Sequence, residues 1–299
     1  HAAVNKACEL LDLRIVYVEL DENKVMDVND LKRKISFKTC AIVASYPCFP
    51  YGLNDPIERI SNVAMKYNIP LHVDACLGGF ITQFDKKLKL SFAQNIQSLS
   101  VDPHKFGYTP KGSSLLLWKN RNLKHYQYFI QNDWTGGIYA SVSLPGSRVG
   151  SQIATTWASL LYNGFNYYSI MSNNIIQATK SLSLYIKNID SFKVIGNPNV
   201  NVVAFYSEKY GVGQIVDFVS KEGWNLNILQ NPLCVHLCIT PKNIKNVNNL
   251  VDLLKKLTTM EVKKCNNNVA SIYGMSASLP DKSVVDDIVK NYLDLTTNI

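Results

Sequence analysis

The sequence predicts an α/β protein, with a large domain built on a mostly parallel sheet and a small α+β domain at the C-terminal end. Three observations support this fold class. Short apolar, β-rich runs alternate with amphipathic segments through the first half of the chain, which is typical of βαβ units. The 299 residues, of which 46% are hydrophobic and 18% charged, suffice for a sizeable core. After Gly196-Asn197-Pro198, the pattern changes to a shorter alternation of strands and helices.

The predicted elements of the first half follow the chain in order. Apolar runs predict strands at 15–20, 41–46, 71–75, 99–102 and 114–118, and amphipathic periodicity predicts helices at 2–11, 28–35 and 57–67. A glycine-rich stretch at 136–150 interrupts the periodicity, and a helical pattern then runs from 152 to 189.

The second half predicts strands at 202–207 and 234–240 and helices at 215–222 and 247–257. We therefore divide the chain into a large domain at 1–150, a connecting helical segment at 151–190 and a small α+β domain at 191–299. The chain starts at His1 without an initiator Met, and no capping residue precedes the first helix. We expect the large domain to be incomplete at its N-terminus.

Charge and composition restrict the partners. The formal net charge is +8, but the lysines are spread along the chain rather than gathered in a patch, so we expect no nucleic-acid partner. Seven cysteines at irregular spacings favour a reducing compartment. No apolar run approaches the roughly 18 residues of a membrane helix. Membrane contact is therefore expected only through a missing N-terminal segment or through a bound substrate.

Two candidate site residues follow predicted strands. Asp74 ends the strand at 71–75, and Lys105 follows the strand at 99–102, so both lie at the sheet edge where α/β proteins bind ligands. A pyridoxal 5′-phosphate (PLP) enzyme needs a carboxylate at the pyridine nitrogen and a lysine that holds the aldehyde as an imine. The alternative from spacing alone is that Asp74 caps a helix and Lys105 is a solvated loop residue.

Four stretches carry a family resemblance: LHVDACLGGFI at 71–81, SVDPHKFGYTPKGSSL at 100–115, NDWTGGIYASVSLPGSRVGS at 132–151 and SIYGMSASL at 271–279. Together they resemble the sphingosine-1-phosphate lyases of the PLP-dependent group II decarboxylase family, over nearly the whole chain. The Asp-His-Lys element is shared with glutamate and aromatic amino acid decarboxylases. The GYTPKGSS and WTGGIYAS segments are more specific to the lyases.

The resemblance implies a fold type I, PLP-dependent transferase-like protein and assigns five cofactor-binding residues. His1 resembles the histidine that stacks on the pyridine ring, and Asp74 the partner of the ring nitrogen. Cys76 stands where a small residue contacts the other ring face. His104 resembles the phosphate-contacting histidine, and Lys105 the Schiff-base lysine.

The resemblance also implies a reaction, namely retro-aldol cleavage of a phosphorylated long-chain base to a long-chain aldehyde and phosphoethanolamine. Lys105 and Lys111 are the candidates for the proton transfers, and the sequence does not decide between them. Two departures stand against an active fragment. Tyr51 replaces a histidine usual in the lyases, and the phosphate-binding segment that precedes the stacking histidine is absent.

The same resemblance implies a homodimer with the active site at the interface, where the segment at 136–150 reaches the partner's cofactor. Eukaryotic relatives are expected in the endoplasmic reticulum membrane with the catalytic domain facing the cytosol, whereas this chain itself is expected to be soluble. Two alternatives stay open: an amino acid decarboxylase on the same scaffold, and an inactive truncated homologue that acts as a binding subunit.

Other patterns are assigned structural roles. Cys234, His236 and Cys238 share one face of a predicted strand and could ligate zinc, but no fourth ligand is evident nearby, so we predict a buried strand and no metal site. Two histidines without sequence partners, His72 and His125, are interpreted as structural or surface residues. An aromatic group is predicted to be core rather than channel lining: Trp157, Tyr162, Phe165, Tyr167 and Tyr168.

Overall fold

The computed structural model describes residues 1–260 and 283–297. The family-like motif at 271–279 lies outside the described residues. The chain folds into two compact units. The first comprises His1–Lys180 and Gly196–Val202, and the second comprises Ser181–Ile195 and Val203–Ile299.

A four-stranded sheet in the order β1-β2-β3-β4 lies at the centre of the first unit. Its strands are β1 (Ile42–Ser45), β2 (Leu71–Asp74), β3 (Ser98–Val101) and β4 (Leu115–Trp118). β1, β2 and β3 are parallel, and β4 is antiparallel to β3. The predicted α/β class with a mostly parallel sheet is confirmed.

The alternation of side chains along β2 places the core on one face of the sheet. Leu71 and Val73 are fully buried, and they pack in one cluster with Ile60 of α3 (Ile57–Lys66) and Leu31 of α2 (Val28–Lys34). Each such buried side chain contributes on the order of 1.5–3 kcal/mol. Because neighbouring residues of a strand face opposite sides, His72 and Asp74 lie together on the other face.

The first unit contains further elements besides this sheet and its two core helices. They are α1 (Ala2–Leu10), α4 (Gly79–Thr82), a 3₁₀ turn (Phe92–Gln94), α5 (Arg121–His125), β5 (Phe129–Gln131), β6 (Tyr139–Ser141) and α6 (Gly150–Lys187). β5 and β6 form an antiparallel hairpin. α6 is interrupted at Gly164, whose φ is +65°, and its C-terminal end belongs to the second unit.

The strand predicted at 15–20 is wrong. This segment forms no ladder in the described chain and makes only an isolated bridge between Leu20 and Met26. Val18 packs against the core, whereas Val16 and Tyr17 are 49% and 60% exposed. The apolar run therefore reflects an extended segment in which Val18 packs against the core.

The second unit contains a sheet in the order β7-β8-β10-β9. Its elements are β7 (Phe192–Val194), β8 (Val202–Ser207), α7 (Val212–Ser220), β9 (Asn227–Leu229), β10 (Cys234–Cys238), a 3₁₀ turn (Ile244–Asn246), α8 (Val247–Thr258) and α9 (Ser283–Thr297). The β7/β8 and β9/β10 pairs are antiparallel, as the predicted α+β architecture requires. Among the described helices, none combines the length and apolar character that crossing a membrane requires.

Candidate active site

The carboxyl ends of β2 and β3 meet at one edge of the parallel sheet. The Asp74 carbonyl accepts a hydrogen bond from the Tyr46 N–H (2.8 Å), and the Ser100 carbonyl accepts one from the Ala75 N–H (3.0 Å). Gly78 then approaches the Tyr46-Pro47 backbone so closely that a Cβ at this position would lie 2.4 Å from the Tyr46 carbonyl oxygen. These contacts fix the loop that follows Asp74.

The Asp74 carboxylate is held by two donors from the protein. Its Oδ1 atom accepts hydrogen bonds from the Cys76 N–H at 3.0 Å and from the Ser100 hydroxyl at 3.3 Å. The first bond is local to the loop, whereas the second crosses from β3. Together the two donors fix the orientation of the carboxylate at this sheet edge.

A turn after β3 brings a cation into the same region. The Lys105 N–H donates to the Asp102 carbonyl (3.0 Å), and the Lys105 Nζ atom lies 3.0 Å from Asp102 Oδ2. The Ser114 hydroxyl donates to Asp102 Oδ1 at 2.6 Å. Burial acts to raise the pKa of Asp102, but the hydrogen bonds from Ser114 and Lys105 outweigh it and hold this pKa below its ordinary value. Asp102 is therefore an anion that positions the lysine.

The two ends of the site are linked through Cys76. Burial and the nearby carboxylates of Asp74 and Asp102 raise the pKa of the Cys76 thiol to about 12, against the opposing effect of a hydrogen bond with Ser100. A thiol with such a pKa stays protonated near neutral pH and is a poor nucleophile. Cys76 is therefore suited to contact a ligand rather than to attack it.

His104 lies beside this cluster. Its Nδ1–H donates to the Ser113 carbonyl, and its Nε2 atom lies 3.8 Å from Asp102 Oδ2. Two side chains of α6 bind the turn after Lys105. The Tyr168 hydroxyl donates to the Gly107 carbonyl (2.8 Å), and the Ser159 hydroxyl donates to the Tyr108 carbonyl (3.1 Å). The turn that follows Lys105 is thus held by two hydrogen bonds from α6.

Four of the predicted site residues therefore share one region: Asp74, Cys76, His104 and Lys105. His1 does not join them through any hydrogen bond in the described part of the chain. It is exposed, and its Nδ1 atom accepts from the Ala3 N–H (3.1 Å), so it provides the helix cap that the sequence was expected to lack. Lys111 lies on an exposed turn, with no ion pair to the cluster among the described contacts.

Tyr51, the position that departs from the lyase pattern, is buried, with 8% of its surface exposed. The adjacent Gly52 has a φ of +69°, and a Cβ there would lie 2.3 Å from the Val202 carbonyl oxygen. Glycine is required at this position by both the backbone conformation and the close approach. The turn thus seats Tyr51 inside the first unit.

Sequence reasoning missed His72. Its Nδ1 atom lies 2.8 Å from the Ser98 hydroxyl and its Nε2 atom 3.3 Å from the Ser100 hydroxyl, which in turn donates to Asp74. Burial lowers the pKa of His72, although the Asp74 charge opposes this effect. The spacing of His72 and Asp74 was the available sequence signal, since residues two apart on a strand share one face.

A family model extends over most of this region. The model of the pyridoxal-dependent decarboxylase conserved domain matches residues 1–208, which is more than half of the chain. The chain belongs to the pyridoxal-dependent decarboxylase family. The match covers every residue of the cluster described above.

Individual relatives of the chain are sphingosine-1-phosphate lyases. The chain is 38% identical to the lyase of Dictyostelium discoideum and 37% identical to lyase 1 of Mus musculus, in each case over 98% of the chain. It spans 57% and 54% of the lengths of those proteins, little more than half. The solved structure of the Burkholderia pseudomallei lyase is similar over 100% of this chain and 66% of its own, with a TM-score of 0.87 and 29% identity.

PLP is the cofactor of the family, and the donor set of the cluster fits it. A pyridine nitrogen requires a carboxylate, which Asp74 supplies, and an aldehyde requires a primary amine, which Lys105 supplies. Both residues lie at one sheet edge and are held by protein hydrogen bonds and an ion pair. The fit supports Asp74 and Lys105 as cofactor-binding residues.

The Cys234-His236-Cys238 group lies on β10 in the second unit. Cys234 and His236 are fully buried, and His236 Nε2 lies 3.0 Å from the Asn227 side-chain nitrogen. Within residues 1–260 and 283–297, no group of three or more histidine, cysteine or acidic side chains is arranged to hold a metal ion.

Proposed function

We propose that the full-length protein is a PLP-dependent carbon–carbon lyase that cleaves sphingoid base 1-phosphates to a long-chain aldehyde and phosphoethanolamine. The observation that carries the proposal is the juxtaposition of the Asp74 carboxylate and the Asp102-bound Lys105 at one sheet edge. The substrate class rests on the similarity to sphingosine-1-phosphate lyases over 98% of the chain.

The proposed roles follow from the contacts of each residue. When bound, the cofactor supplies an electron sink for the pair released by carbon–carbon cleavage. Asp74 would face the ring nitrogen, and Lys105 would hold the aldehyde carbon. Cys76 would contact the ring, since its protonated thiol adds no charge there. His104 would approach the phosphate group, and His1 would stack on the ring.

The overall reaction requires two proton movements. The bond between C2 and C3 of the substrate breaks, the C3 hydroxyl loses its proton to a base, and C3 becomes the aldehyde carbon. C2 retains the electron pair and gains a proton, which completes phosphoethanolamine. Lys105 and Lys111 are the candidate groups for these transfers. Lys105 is held at the site by Asp102, whereas Lys111 lies on an exposed turn and would act on a substrate that covers it.

We also propose a homodimer with the active site at the interface. Support comes from the apolar side chains that the first unit exposes between residues 134 and 144. Ile138 and Leu144 are 81% and 95% exposed, and Trp134 and Val142 are exposed as well. Several large apolar side chains exposed in one short segment are typical of an interaction site. If the full-length protein carries the N-terminal membrane anchor usual in eukaryotic relatives, it would reside in the endoplasmic reticulum membrane, with its catalytic domain facing the cytosol.

The test uses the full-length protein purified with PLP. Aldehyde release from a phosphorylated sphingoid base is measured beside carbon dioxide release from glutamate and aromatic amino acids. We expect aldehyde alone, and its loss in the Lys105→Ala variant. Carbon dioxide release would instead make the protein an amino acid decarboxylase. If neither product forms, the protein is an inactive homologue.

Matched lysine variants separate the two proposed roles. Lys105→Ala should lose the visible absorbance of lysine-bound cofactor together with activity. Lys111→Ala should keep that absorbance and lose aldehyde release, because it would act only on the substrate. Lys66→Ala, on the exposed face of α3, should keep both.

A further inference from the structure

A row of polar side chains crosses the sheet at the site. The register pairs His72 of β2 with Ser98 of β3, and Asp74 with Ser100. The Ser98 hydroxyl lies 2.8 Å from His72 Nδ1, the Ser100 hydroxyl 3.3 Å from His72 Nε2, and the Ser100 hydroxyl 3.3 Å from Asp74 Oδ1. Four residues from two strands thus form one hydrogen-bond chain, which we call the His72 chain.

The role of Asp74 Oδ1, as acceptor or donor toward Ser100, fixes the direction of this chain. A neutral imidazole carries one N–H and one acceptor nitrogen, and each serine hydroxyl has a single hydrogen. If Asp74 is ionised, Ser100 must donate to it, so His72 must donate from Nε2 to Ser100 and accept at Nδ1 from Ser98. If Asp74 is protonated and donates to Ser100, every donor reverses, and His72 carries its hydrogen on Nδ1.

The surroundings favour the first arrangement. Asp74 Oδ1 accepts from the Cys76 N–H as well as from the Ser100 hydroxyl, so it acts as an acceptor toward both neighbours. Burial of His72 keeps the imidazole neutral, as the downward shift of its pKa indicates. The other ionisable groups that face this part of the chain are the Cys76 thiol, with its pKa of about 12, and the Asp102 carboxylate, which Lys105 neutralises.

We propose that His72 is a positioning residue for Asp74, which it orients through a hydrogen-bond chain with Ser98 and Ser100 whose donors all point toward the carboxylate. The proposal deepens the proposed function and rests on it for the role of Asp74 toward the cofactor. The chain itself is a property of the protein without cofactor. Its direction can therefore be measured separately.

The first experiment is NMR of the imidazole nitrogens in the full-length protein without PLP, with His72 assigned by substitution. We expect the Nε2–H tautomer at neutral pH. An Nδ1–H tautomer or a doubly protonated ring would overturn the proposal. Because no cofactor is present, this result does not depend on the proposed lyase activity.

The second experiment measures PLP affinity and the protonation of the PLP ring nitrogen in variants of the chain. Ser100→Ala removes only a hydroxyl, and His72→Phe removes both imidazole nitrogens while keeping an aromatic ring. We expect each to weaken PLP binding about tenfold, the size expected when a hydrogen bond to a charged group is lost. Both variants should also lower the protonated fraction of the ring nitrogen.

Two comparisons keep this test specific. Ser100→Thr retains the hydroxyl and should restore affinity and ring protonation, whereas a role in packing alone would leave ring protonation unchanged in every variant. His125→Phe, on exposed α5, is the control for histidine loss. Unchanged affinity and ring protonation in Ser100→Ala would overturn the proposal. If the wild type binds no PLP, the proposed function fails, and the tautomer measurement still decides the direction of the chain.

Discussion

The Gly78→Ala substitution tests whether backbone contact between two loops fixes Asp74. An added Cβ would lie 2.4 Å from the Tyr46 carbonyl oxygen and 2.6 Å from Pro47 Cδ. Ordinary contacts are about 3.5 Å, so the two segments must separate by about 1 Å. Both neighbours are backbone or ring atoms that cannot rotate away. Overpacking of this kind costs about 1–3 kcal/mol.

The same displacement should reach the site. The Tyr46 N–H donates to the Asp74 carbonyl at 2.8 Å, so a shift of about 1 Å breaks this bond. We expect Gly78→Ala to lower the thermal midpoint of unfolding and to weaken PLP binding, measured by visible absorbance in the full-length protein. Gly211→Ala is the matched control, because the nearest atom to its added Cβ is Gln214 Oε1 at 3.8 Å, an ordinary contact. Wild-type stability and PLP affinity in Gly78→Ala would refute the reasoning.

Three further predictions concern stability and reactivity. Hydrogen bonds from the Glu19 N–H and two basic side chains lower the pKa of Asp30 to about 2. The contribution of Asp30 to folding stability is therefore present above pH ~4 and is lost as the pH falls through 2. The melting temperature of Asp30→Asn should be lower than that of the wild type at pH 7 and less sensitive to acid, and identical pH profiles of the two proteins would contradict this. Phe205 is fully buried, and Phe205→Ala should cost about 3–5 kcal/mol in urea unfolding, with a loss below about 1 kcal/mol as the contrary result. The Cys76 thiol, with a pKa of about 12, should resist iodoacetamide at pH 8 while exposed Cys40 reacts, and equal labelling by mass spectrometry would count against it.

The parallel sheet was predictable because its strands combine apolar alternation with strand-end polar residues. In β2, Leu71 and Val73 supply the buried face, and Asp74 marks the carboxyl end. The segment at 15–20 has a similar apolar character but pairs with no strand among the residues that the structure describes, and no local pattern reports whether a partner strand exists. Pairing is a property of the tertiary structure.

The aromatic group of α6 shows that burial, like strand pairing, is not reported by a local sequence pattern. The sequence predicted a core role, and this is correct for Tyr168, which is 5% exposed and hydrogen-bonded to the Gly107 carbonyl. It is wrong for Trp157, Tyr162 and Phe165, which are 65%, 91% and 75% exposed. Helical spacing indicates which side chains share a face, but not what covers that face.

The site was predictable where the residue types are distinctive. Asp74 ends β2 and Lys105 follows β3, and the sheet edge joins them to Cys76 and His104. His72 was missed because its serine partners are 26 and 28 residues away along the chain and become neighbours only through the β2/β3 register. Serines carry no distinctive pattern in sequence, so their role emerges only from geometry.

The most direct test of the proposed active site is reduction of the PLP-loaded, full-length protein with sodium borohydride, which fixes a lysine-bound pyridoxal group irreversibly. Proteolysis and mass spectrometry then identify the modified lysine. The proposed site predicts modification of Lys105, with none in the Lys105→Ala variant. Modification of Lys111 or of another lysine, or no modification at all, would contradict it.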